Sequence, residues 1–202
     1  MRRKHALKLS ANDIERKKIF FQFALMLIAA FIGGLCFVAA LETGISHDVR
    51  GKIVGSFSGI SLRDFELMQF VRSIITACLP YFVSVLIIFV FSFSYVSYVV
   101  SDILLALNGF FTGALVALVA LCLTPAYFLS AAIFIACTVT SLLVLMYFAY
   151  TCALLSLGIR LRVSNGRMIF SGKKLLYATL KTLATLGTFI ILTFIRSIAL
   201  LI

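Results

Sequence analysis

The sequence predicts an all-α, polytopic membrane protein: five transmembrane helices with an amphipathic helix on the outer face. Three observations carry that fold class. The 202 residues are 63% hydrophobic and 12% charged, with a mean hydropathy of +1.16, whereas a soluble domain is about a quarter charged. From Ile103 to Ile159 the chain runs without one Asp, Glu, Lys, Arg or His, far beyond the ~20 apolar residues that one spanning helix needs. Finally, the net charge of +11 sits largely in two blocks, near the N-terminus and after Ile159. The positive-inside rule accounts for both without a nucleic-acid partner.

The first segment, residues 1–18, is a basic cytoplasmic N-terminus, with Arg2, Arg3, Lys4, Lys8, Arg16, Lys17 and Lys18 against Asp13 and Glu15. Ser10 or Asn12 suits the cap of a short helix leading into the membrane. Residues 19–202 form a single membrane domain whose first span covers about 19–41. That span is too long for a signal-peptide core and has no small-x-small cleavage site, so it belongs to the mature protein. Gly33-Gly34 would let a neighbouring helix come close.

Residues 42–76 make the one long polar connection, with acids and bases in balance, as suits an outer loop. Its Gly- and Ser-rich first half reads as loop. From Ser61 to Thr76, Leu62, Phe65, Met68, Val71 and Ile75 recur at helical spacing, while Arg63, Glu66 and Gln69 fall on another face. This is an amphipathic helix on the outer leaflet or an extension of the next span. In either form Arg63, Asp64 and Glu66 are the candidate partner-facing charges.

The second span, about 78–93, carries Pro80 near its expected start, where a missing N–H costs least. Ser92 to Asp102, with its serines and tyrosines, reads as a tight turn at the inner face. Asp102 is the only acid after Glu66. Three roles suit it: a cap whose charge complements the dipole of the third helix, a partner in a pairing or interface contact, or proton chemistry.

The third span, about 103–123, holds the row Gly109-x-x-x-Gly113-x-x-x-Ala117, a small-residue face on which two backbones can touch. Beside it, the Asn108 amide must find a bonding partner away from lipid. Thr124-Pro125 marks a turn, and the fourth span, about 127–157, exceeds one bilayer thickness. The basic loop 158–174 follows, where Arg160, Arg162, Arg167, Lys173 and Lys174 set topology or meet anionic headgroups. Within it Asn165-Gly166 signals a turn, compatible with a small hairpin. The fifth span, about 175–195, has Lys181 snorkelling inward and Arg196 outward. With both basic blocks on one side, the N-terminus is inside and the C-terminus outside.

No residue pattern specifies a reaction. Cys36, Cys78, Cys122, Cys137 and Cys152 lack ligand spacing and read as packing residues. His5 and His47 lie outside the spans, and no HExxH, GxSxG or Walker element is present. The reading is therefore no enzyme, no cofactor and no metal.

Taken together, the basic N-terminus, outer amphipathic loop, hairpin of spans, Gly109-Phe110-Phe111-Thr112-Gly113 element, basic loop and last span make the chain similar to the stage II sporulation protein M family. The likeness runs through pattern across the whole chain more than through identities. That family usually has Lys where Asn108 stands and a Gly-x-Pro turn where Ser92 to Asp102 stands; of its Pro-Gln-Asn element, Leu123-Thr124-Pro125 is the nearest counterpart. The resemblance implies a non-enzymatic scaffold in the cytoplasmic membrane of an endospore-forming bacterium. Such a scaffold recruits extracytoplasmic peptidoglycan-degrading partners, the sporulation proteins D and P, during engulfment. A different class, a small permease or channel subunit using Asp102 and Asn108, is the alternative.

Overall fold

The computed structural model describes residues 2–43, 67–94, 96–121, 128–164 and 172–199. The described residues form five helices and no strand: α1 (Arg2–Thr43), α2 (Leu67–Phe91), α3 (Ser97–Leu121), α4 (Phe128–Ser164) and α5 (Gly172–Ala199). Each holds a stretch long and apolar enough to cross a bilayer: Ile19–Ala40, Ile74–Phe91, Ser97–Ala120, Phe128–Ser156 and Leu175–Ile198. The chain is thus an all-α, multi-pass membrane protein. In lipid only helices or closed barrels satisfy every backbone group, which is why the apolar stretches take this form.

Several boundaries differ from the sequence expectation, each for a local reason. α1 is one unbroken helix from Arg2, so neither Ser10 nor Asn12 starts a separate helix; the Lys, Arg, Leu, Glu and Ala residues there are good helix formers. α2 begins at Leu67 and runs on through the second span, so residues 67–76 are a helical extension of that span. Residues 61–66, with Arg63, Asp64 and Glu66, lie outside the described residues, as does the expected hairpin turn at 165–171 with Arg167. Pro80 consequently sits inside α2 rather than in its first turn.

The turn expected over Ser92 to Asp102 ends much sooner, because α3 already starts at Ser97. Ser92 Oγ donates to Phe89 O at 2.6 Å where α2 ends, Ser94 Oγ accepts from Val96 N at 3.3 Å in the turn, and Ser101 Oγ, already inside α3, donates to Ser97 O at 2.7 Å. Ser94 N donates to Phe91 O at 2.8 Å, closing the connection. Ser156 Oγ donates to Ser94 O at 3.0 Å and ties the end of the fourth span to this turn.

Helices α2 to α5 build the core. Tyr81, Val85 and Ile88 of α2 meet Leu105 of α3, Leu145, Phe148, Ala149 and Cys152 of α4, and Phe189 of α5. Tyr81 and Phe189 stack with centroids 4.9 Å apart and planes 15° from parallel. α1 stands outside this group and docks mainly on α3. Most of its large side chains, among them Phe20, Phe21 and Phe31, stay exposed, which in a membrane means that they face lipid.

The contacts also order the ends of the bundle. The start of the α1 span, the turn holding Ser92 and Ser94 and the end of the α4 span lie together at one end, since Gln22 meets Asp102 and Ser156 meets Ser94. Both basic blocks flank that end in the chain.

Candidate functional site

A seam of small residues joins α1 to α3. Gly109 faces the Met26 carbonyl so closely that a Cβ on it would lie 2.7 Å from that oxygen. A Cβ on Gly113 would overlap the Ala30 carbonyl, and one on Gly33 the Phe110 carbonyl. Gly34 is slightly looser, with a Cβ position 3.5 Å from Gly113 O and 3.9 Å from the Ala117 Cβ. The register advances by one turn on each helix, Met26 to Gly109, Ala30 to Gly113, Gly34 to Ala117, so α1 and α3 run parallel. The predicted row Gly109, Gly113 and Ala117 is therefore a helix contact, and it faces the row Met26, Ala30 and Gly34 on α1, with Gly33 against Phe110 beside it. Backbones this close exchange Cα–H···O contacts worth about 0.5–1 kcal/mol each.

One polar bond closes the seam at the end flanked by the basic blocks. Gln22, fully buried, donates from Nε2 to Asp102 Oδ1 at 2.8 Å. Asp102 is the sixth residue of α3, beyond its first turn, so it does not cap that helix. The reason is the early start at Ser97. Gln22 was not singled out by sequence reasoning, although a lone amide in an apolar span is itself a signal that a partner must exist. Its Oε1 is buried with no hydrogen-bond partner among the described residues.

Asn108 turns to the other neighbour of α3. Its Nδ2 donates to Ser84 Oγ at 2.8 Å and to Leu104 O at 2.8 Å, while Ser84 Oγ donates to Pro80 O at 2.8 Å. Thus α3 binds α1 through Asp102 and α2 through Asn108. Lower on the same pair, the Tyr81 and Thr112 side chains are hydrogen-bonded. Cys78, Cys137 and Cys152 are buried as free thiols and Cys36 is an exposed one. Among the described residues no three of His, Cys, Asp and Glu gather at a metal-binding distance. The side chains of Arg160, Arg162, Lys173 and Lys174 lie outside the described residues.

The last polar feature lies on α4 and α5. Lys181 Nζ stands 4.9 Å from the Tyr177 ring centroid and 5.6 Å from that of Tyr147. Arg196, nearer the other end of α5, lies over Phe134 at 5.2 Å. Both cations are held by aromatic faces, as expected where water is scarce. No protein-family model, curated protein or solved structure matches this chain.

Two predictions follow from the seam. Gly113→Val should destabilise the detergent-solubilised protein by about 1–3 kcal/mol, the usual cost of overpacking, because the obstructing group is backbone. Gly187, whose Cβ position has nothing within 4 Å, is the control: Gly187→Ala should be neutral or stabilising by up to about 1 kcal/mol. Survival of the monodisperse peak after heating measures both. In a double-mutant cycle, Gln22→Leu and Asp102→Leu should each destabilise, and the pair should show a coupling of about 0.6–1.7 kcal/mol, the range for hydrogen bonds between membrane helices.

Proposed function

We propose that the chain is a non-enzymatic membrane scaffold. It holds a rigid five-helix frame in the bacterial cytoplasmic membrane, N-terminus inside and C-terminus outside, and recruits extracytoplasmic partners through the connection that contains Arg63, Asp64 and Glu66. The observation that carries this reading is how the intramembrane polar groups are used. Asp102 bonds to Gln22 and Asn108 to Ser84, so the two residues on which a solute path would rely act as struts between helices. A partner class follows from the resemblance to the stage II sporulation protein M family: the peptidoglycan-degrading sporulation proteins D and P, assembled for engulfment.

The test combines recruitment with transport. Reversing Arg63, Asp64 and Glu66 together should abolish cross-linked co-purification of sporulation proteins D and P, while the chain still inserts. Vesicles reconstituted with the wild-type chain should show no solute flux above protein-free vesicles. Undiminished recovery of both partners, or a flux that Asp102→Asn removes, would contradict the scaffold and favour a permease or channel subunit.

A further inference from the structure

We propose that the groove between α4 and α5 holds an anionic phospholipid, its phosphate against Lys181 and one acyl chain along the groove. The groove encloses about 420 Å³, opens to the lipid-facing surface, and is lined by Thr140, Tyr147, Thr151, Lys181, Ala184 and Thr188 among others. A smaller hollow adjoins it on the far side of Lys181, between Leu155 and Tyr177. Lys181 thus stands between a long, mainly apolar trough and a short recess nearer the end of the bundle.

Charge selects the occupant. Lys181 is six residues past the start of its span, Leu175–Ile198, about 9 Å at 1.5 Å per residue. A cation at that depth is expensive unless it is matched. Its bonding partners are the Tyr177 and Tyr147 side chains, phenols and not carboxylates. The one acid whose side chain is described, Asp102, is bonded to Gln22 on a different pair of helices. The ammonium therefore lacks a carboxylate among the described residues. An anion delivered from the bilayer would complete it.

Shape agrees with charge. A helical side chain leans toward the N-terminus of its helix, which for Lys181 is the end next to the basic residues between the fourth and fifth spans. A headgroup phosphate would meet it from that side. From Lys181 to Thr188 the trough continues about 10 Å deeper along α5, a path for an acyl chain. Thr140 and Thr188 add little polarity to it, because their hydroxyls donate to Ala136 O and Ala184 O of their own helices.

Native mass spectrometry of the delipidated full-length chain, titrated with phosphatidylglycerol and phosphatidylcholine, tests the site. The wild type should take up one phosphatidylglycerol with about five-fold preference, the equivalent of ~1 kcal/mol for one basic residue at an anionic headgroup. Lys181→Gln should lose the preference, and Lys181→Arg should keep it. Ala184→Leu, which fills the trough while leaving the cation, should weaken uptake of both lipids. Equal uptake of the two lipids by the wild type, or an unchanged preference in Lys181→Gln, would overturn the proposal. So would a lipid-free dimer that Ala184→Leu dissociates, since a second copy would then be the occupant.

Discussion

Backbone contact between α1 and α3 is the constraint on which the arrangement depends. Lipid tails are as apolar as the helices, so no hydrophobic force drives two spans together, and close packing has to. α1 has little else with which to hold on: most of its large side chains face outward and it touches the core group chiefly through α3. Glycines at positions 33, 109 and 113 bring carbonyl oxygens of one helix to the Cα atoms of the other. Any side chain at those places forces the helices apart. The first span would then be joined to the rest mainly by the connection that leaves its end.

The polar bonds give this contact its register. Dispersion and Cα–H···O contacts along a smooth small-residue seam permit sliding by a turn. The Gln22–Asp102 bond does not, because a one-turn slip would leave an amide and a carboxyl group facing hydrocarbon, at a cost of a few kcal/mol. Asn108 fixes α3 against α2 in the same way. Through these two side chains α3 is the hub to which both neighbours are keyed, and the aromatic stack of Tyr81 on Phe189 extends the frame from α2 to α5.

Much of this was legible in the sequence, in proportion to how local the cause was. Hydropathy over a window of one helix marked five spans, because the bilayer sets both their length and their composition. The four-residue spacing of Gly109, Gly113 and Ala117 marked a contact face for the same reason: it needs only one helix to be seen. That Met26, Ala30 and Gly34 of α1 face this row depends on which spans meet across 70 or more residues, and periodicity carries no such information. A capping role was open for Asp102, beside a pairing role and proton chemistry, because the serines before it resemble a turn. Ser101 instead lies within α3 and bonds back to Ser97 O, so the helix starts earlier, at Ser97, and the carboxyl group lies a turn deeper. Gln22 was legible in principle, as an amide inside an apolar run, by the same reasoning that marked Asn108. Lys181 was read as a snorkelling cation, and its tyrosine neighbours lie on its own helix and on α4.

The most direct measurement is a disulfide across the seam. In a chain whose native cysteines are replaced by alanine, Gly34→Cys and Ala117→Cys place two thiols on positions whose Cβ atoms lie 3.9 Å apart, within the ~3.5–4.5 Å that a disulfide spans. A protease site inserted into residues 44–66 then reports the link. After oxidation in membranes and cleavage, the α1 fragment should stay attached at monomer mass on a non-reducing gel and come free with reductant. A control pair with Leu35→Cys, on the exposed face of α1, should release it. If Gly34→Cys with Ala117→Cys releases the fragment as readily as the control, α1 does not pack on α3 in this register and the account fails.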